Sequence, residues 1–158
     1  MQRMKTLVLR PATVDDAEAI SVLIADLMPY LTLAPDGAGA ETFIASMSTE
    51  ALAGLLADAR YDYRLGHIGT ELAGVVAIRD RRHLFHLFVA RSFQGQGIGR
   101  RLWRAARNAS LLDGGAAAFT VNASDYAMPV YQRFGFRVSG VRVARDGIAY
   151  TPMQLAAA

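Results

Sequence analysis

The chain's 158 residues read as one α/β (α+β) domain, a mixed β-sheet of about seven strands with helices on both faces. Short apolar runs alternate with segments of helical period in the order β-α-α-β-β-β-α-β-α-β-β. A glycine-rich turn, Gln94-Gly95-Gln96-Gly97-Ile98-Gly99, stands between a strand-like and a helix-like run. A hydrophobic fraction of 53% against 20% charged residues suits a globular chain with a real core, and no repeat or linker divides residues 1–158.

Residues 5–10 read as the first strand. Thr13, with Asp16 three residues on, has the form of a capping box. Ile20, Leu23, Ile24, Leu27 and Met28 then fall on one helical face, with Pro29 past its end. Residues 31–42, with Pro35, Asp36, Gly37 and Gly39, read as a loop. Ser48 caps a second helix, whose buried stripe is Leu52, Leu55, Leu56 and Ala59. Strands follow at 61–68, 72–79 and 83–90, the first two joined around Gly69-Thr70. A helix over 98–112 turns Ile98, Leu102 and Ala106 inward and ends at Gly114-Gly115. A strand at 116–122, a short helix at 125–134 and a hairpin of 137–145 with 148–155 across Asp146-Gly147 complete the chain.

The glycine-rich turn has the form of a phosphate cradle. Glycines at alternate positions let the backbone turn sharply and bring its N–H groups against a ligand. A helix starting there adds unpaired donors and the positive end of its dipole. A dinucleotide fingerprint from Gly95 and Gly97 would need glycine where Arg100 stands, and a P-loop needs Gly-Lys, whereas the one lysine is Lys5. From Arg81 to Leu112 there is no Asp or Glu but seven arginines, at 81, 82, 91, 100, 101, 104 and 107. The whole chain carries only +3, so this positive block is local. No aromatic stacking series interleaves it and no nucleic-acid-binding signature accompanies it, so a compact polyphosphate fits better than nucleic acid. Arg104 and Arg107 can equally be a solvated helix face.

Zero cysteines exclude disulfides and thiolate chemistry, and His67, His83 and His86 match no zinc-binding spacing, so no metal is expected. No apolar run reaches the ~20 residues of a membrane helix, so no membrane partner is expected. The N-terminus runs into a strand-like segment, unlike a signal peptide, and a cytoplasmic protein is the expectation.

The layout resembles the GNAT N-acetyltransferase superfamily over essentially the whole chain. Gln94, Gly97 and Gly99 match its Gln/Arg-x-x-Gly-x-Gly/Ala signature, and Asn122-Ala123-Ser124 ends a strand. Tyr131-Gln132-Arg133-Phe134-Gly135-Phe136 looks like its Tyr-x-x-x-Gly-Phe helix ending. The resemblance implies a sheet splayed at strands 4 and 5 and direct transfer of acetyl from acetyl-coenzyme A to a primary amine. Its co-substrate would lie on the backbone of Gln94, Gly95, Gln96, Gly97, Ile98, Gly99 and Arg100. The pantetheine arm would pair with Leu87, Phe88 and Val89, near Asn122 and Ser124. Ordinary turn chemistry accounts for Ser124 as well.

Tyr131 is the expected general acid, since a phenol with pKa near 10 suits a thiol leaving group. Relatives that acetylate ribosomal-protein N-termini carry a glutamate at the position that Thr120 matches here. His86 is the candidate base that remains on its strand, with Glu71, Tyr30 and Tyr126 as alternatives. The resemblance places the acceptor near residues 27–45 and 140–150, where Asp36 or Glu41 would attract an amine's cation. A small or amino-acid-like amine is expected. A peptide N-terminus, or a non-catalytic acyl-coenzyme A-binding regulatory domain, stay open. Homodimers are common in the family, but no residue pattern here shows one.

Overall fold

The computed structural model describes residues 6–115 and 118–156. Lys5 and Ala116, the expected first residues of two strands, lie outside them. The elements are β1 (Leu7–Pro11), α1 (Ala17–Leu31), α2 (Glu41–Ala45), α3 (Thr49–Leu56), β2 (Tyr61–Ile68), β3 (Glu71–Arg79) and β4 (His83–Val89). After the turn come α4 (Ile98–Leu112), β5 (Ala118–Ala123), α5 (Met128–Arg133), β6 (Arg137–Val138), β7 (Val143–Arg145) and β8 (Ile148–Ala156). The strands form one mixed sheet in the order β1-β2-β3-β4-β5-β8-β6, with β7 on β8. None of the described helices is long and apolar enough to cross a membrane.

Each face of the sheet is covered by helices whose apolar stripes follow the expected period. On one face Ile20, Ile24 and Leu27 of α1 and Leu52 of α3 pack against Leu65 and Val75. On the other Leu102, Trp103 and Ala106 of α4 pack against Val76, Ile78 and Phe119. Alternate residues of β3 thus feed opposite cores, as a two-sided sheet requires. Burying each such side chain contributes about 1.5–3 kcal/mol.

Four local expectations need correction. Pro29 lies inside α1, because losing one N–H so near the end still lets the last turn close, Thr32 N–H donating to the Met28 carbonyl at 3.2 Å. The loop reading of 31–42 runs into a short helix, α2, from Glu41. Ala59 falls beyond α3, so it belongs to no helical stripe. The strand expected over 137–145 is split into β6 and β7, which makes eight strands rather than seven. Its break lies opposite Pro152, which has no N–H to offer that ladder; the Pro152 carbonyl still accepts from Ser139 at 2.9 Å.

The feature that opens a site is the parting of β4 from β5. They pair in parallel only at His83 with Thr120 and Leu84 with Val121. On its other edge β4 carries a bulge: Leu84 pairs with Ile78 and His86 with Ala77, so Phe85 has no partner. An extra residue bends a strand and adds twist. It also flips the side-chain alternation, so Leu84 and Leu87 pack with the α4 core while Phe85 and Phe88 pack with the α1 and α3 core.

Candidate active site

The turn after β4 is built as a cradle. Gly95 and Gly97 both have φ of 78°, a left-handed conformation that favours glycine. A Cβ placed on either would meet nothing within 4 Å, so the space above both is open. Arg101 N–H, bonding to the Gly97 carbonyl at 3.2 Å, is the first to close α4, which leaves Ile98, Gly99 and Arg100 N–H groups without helical partners. No side chain caps this end and no acid stands in its first turn. Arg100 lies with its guanidinium 5.4 Å from the Phe134 ring centroid, beside the same opening. The result is an electropositive, donor-rich concavity suited to an anion.

Two cavities flank the opened strands. The first, of about 470 Å³, runs from the cradle along Leu87 and Val89 to α5. The second, of about 350 Å³, lies under α2 against Phe85, His86, Phe88 and Tyr150. Leu87, Tyr126, Ala127 and Tyr131 line both. Along β4 the Ala90 N–H bonds to Ala73 at 2.8 Å, so by the alternation of a ladder Val89 and Leu87 direct their backbone groups into the gap left by β5.

Tyr131 is buried, its ring edge-on to Phe134 and Phe136 at centroid distances of 6.2 and 5.8 Å. Burial pushes its phenol well above the ordinary value, so the hydroxyl stays protonated. His86 also reaches the second cavity, but in a state that opposes proton uptake. Burial lowers its pKa to about 3, its Nδ1 lies 3.0 Å from the Tyr63 hydroxyl, and its Nε2 is buried without a partner. It is thus a neutral hydrogen-bonding group and a weak base.

The Gln94 side chain ties the turn to its neighbours. Its Nε2 donates to the Val89 carbonyl at 3.0 Å, and its Oε1 accepts from Tyr126 at 2.7 Å. Tyr126 in turn stacks on Tyr30 of α1, 5.0 Å between centroids, so the cradle, the β5–α5 loop and α1 are held together. Gln96 is exposed on the cradle's rim. Asn122 and Ser124 line the second cavity and not the first. The Ser124 hydroxyl accepts from Ala127 N–H at 3.2 Å, which is turn capping.

Asp36 and Glu41 do not line the second cavity; they accept from Ala38 and Gly39 N–H groups at 3.0 and 3.1 Å within their own loop. Glu71 begins β3, at the end of that strand away from His83. The side chains that do stand there and were not anticipated are Arg79 and His83. His83 Nδ1 lies 2.8 Å from Thr120 Oγ1, across the short stretch where β4 and β5 still pair. Burial, then Arg79 and Arg82, lower its pKa. Among the described residues no group of three or more acidic, histidine or cysteine side chains could hold a metal ion.

Residues 31–157 match the model of the acetyltransferase (GNAT) domain. Among solved structures, the GCN5-related N-acetyltransferase from Rhodopseudomonas palustris superposes with a TM-score of 0.82 at 21% identity, covering 99% of each chain. The PaiA N-acetyltransferase from Thermoplasma acidophilum, solved in complex with coenzyme A, gives 0.78 at 15% identity over 96% of this chain and 99% of that one. A variant of spermidine N-acetyltransferase from Vibrio cholerae gives 0.66 at 16% over 96% and 94%. No curated protein sequence matches the chain.

Proposed function

Because the chain belongs to the GNAT acetyltransferase family, we propose that it moves an acetyl group from acetyl-coenzyme A directly to the primary amine of a small molecule. The observation that carries this is a single buried tyrosine, Tyr131, lining both an anion-cradling cavity and a second, chemically different one. The fold neighbour from Thermoplasma acidophilum holds coenzyme A, which supports the reading.

The residues present fit that co-substrate. Open space over Gly95 and Gly97, with the N–H groups of Ile98, Gly99 and Arg100, suits a diphosphate, and Arg100 adds charge. Leu87 and Val89 offer backbone groups to the amides of an extended arm, as in strand addition. Acetyl-coenzyme A would supply an activated thioester at the junction of the two cavities. There the amine nitrogen forms the new bond to the acetyl carbon as the carbon–sulfur bond breaks. The Tyr131 hydroxyl gives its proton to the departing sulfur. Burial that raises the phenol's pKa acts in the same direction on the thiolate, so the two stay matched. His86 enters as a neutral hydrogen-bonding group, the amine's own proton leaves to water, and Tyr131 regains its proton from water before the next turnover.

Isothermal titration with acetyl-coenzyme A tests the reading. One-to-one saturable binding is expected, abolished in Gly97→Val, whose side chain would be strained at φ 78° and would fill the open cradle. No binding at millimolar acetyl-coenzyme A by folded wild-type protein would overturn it.

A further inference from the structure

Resting on the reading just given, we propose that the acceptor amine also carries a carboxylate, which Arg79, His83 and Asn122 bind at the β3–β4 end of the second cavity. Arg79 is the charged side chain lining that cavity among the described residues, and no Asp or Glu lines it. Its guanidinium sits 5.7 Å from the Phe85 ring centroid, which fixes it against the cavity wall. The contact with Asp80 is 3.6 Å at Nε, beyond hydrogen-bond distance, so the guanidinium keeps donors for a ligand.

The sheet aligns the other donors with it. Arg79 pairs with His83, and His83 pairs with Thr120, so the three side chains stand in one row on one face of adjacent strands. Asn122, two residues beyond Thr120, shares that face and adds an amide N–H₂. In the tautomer that accepts from the Thr120 hydroxyl at Nδ1, His83 carries its proton on Nε2 and adds a further donor to the residues lining the cavity. Donors of this kind without a facing acid make an anion site.

A polycation would find no counter-charge here. Phe43, Met47, Phe85 and Phe88 also line this cavity, which suits a compact amino acid with an apolar body.

The test measures coenzyme A release with α- and ω-amino acids, each against its own carboxamide, and with a linear polyamine. In wild type the acids are expected to exceed their amides by about tenfold or more in kcat/KM. In Arg79→Gln that ratio is expected to fall to about one, and in Arg79→Lys to an intermediate value, through KM. Equal rates on acid and amide, an unchanged ratio in Arg79→Gln, or acetylation of the polyamine with every acid inert would each overturn the proposal. Should Arg79→Gln fail to fold, the wild-type ratio decides alone. Binding of acetyl-coenzyme A with no turnover of any acid overturns the carboxylate site and spares the co-substrate reading; absence of that binding overturns both.

Discussion

Under the proposed transfer, Tyr131 is the residue on which chemistry and binding separate. Tyr131→Phe keeps the ring against Phe134 and Phe136 and removes one hydroxyl. Turnover is expected to fall by about 10²-fold, the lower end for a lost general acid because a thiolate is a tolerable leaving group. The loss should appear alike in kcat and kcat/KM at saturating acetyl-coenzyme A. Turnover like wild type would make Tyr131 a packing aromatic. The same burial sets the pH profile. A raised Tyr131 pKa keeps the acid form across the neutral range, and a His86 pKa lowered to about 3 keeps the imidazole neutral there. The log of kcat/KM should therefore rise with pH as the amine substrate loses its own proton, with no break near the ordinary histidine value of about 6.5. A break there, lost in His86→Gln, would make His86 the base after all. Tyr131 and the glycines were legible because turn and motif chemistry is local. Arg79 and His83 were not: an arginine at a strand end looks like any polar terminus, and the His83–Thr120 contact spans 37 residues.

At the scale of elements, the sequence His83-Leu84-Phe85-His86-Leu87-Phe88-Val89 conceals its main event. Its apolar residues suit either face, so the unpaired Phe85 and the reversal it causes were not visible in the pattern. That reversal puts His86 on the second cavity and Leu87 at the junction of both. The Asp146-Gly147 turn was visible, but its second duty was not. Gly147 has φ of 78°, its carbonyl accepts from Leu33 N–H at 2.8 Å, and a Cβ there would stand 2.5 Å from Gly39 and Ala40 backbone atoms. The β7–β8 hairpin is thus pressed against the segment leading into α2, the roof of the second cavity. Gly147→Ala is expected to lower stability by about 1–3 kcal/mol in urea unfolding. It should also raise KM for the amine more than for acetyl-coenzyme A. Wild-type stability and KM would mean that the loops part without cost.

Over the whole molecule, alternating periodicities were enough to predict one sheet with helices on both faces, because each face needs its own apolar cover. The split of the strand expected over 137–145, opposite Pro152, and the persistence of α1 through Pro29 escaped, since each depends on which backbone group a neighbour needs. The parting of β4 from β5 is what opens this architecture into two adjoining cavities. It opens backbone edges along Leu87 and Val89 and leaves Tyr131 between the cavities. Such an arrangement supports direct transfer and requires no acetylated enzyme. Mass spectrometry of the complete reaction, with acetyl-coenzyme A and the amine panel, tests this most directly. The account predicts one acetylated amine per thiol released, thiol release that depends on the amine, and an intact protein mass unchanged at every time point. Thiol released without amine together with acetyl on the protein, or no acetylated amine from any acceptor while acetyl-coenzyme A is bound, would contradict it.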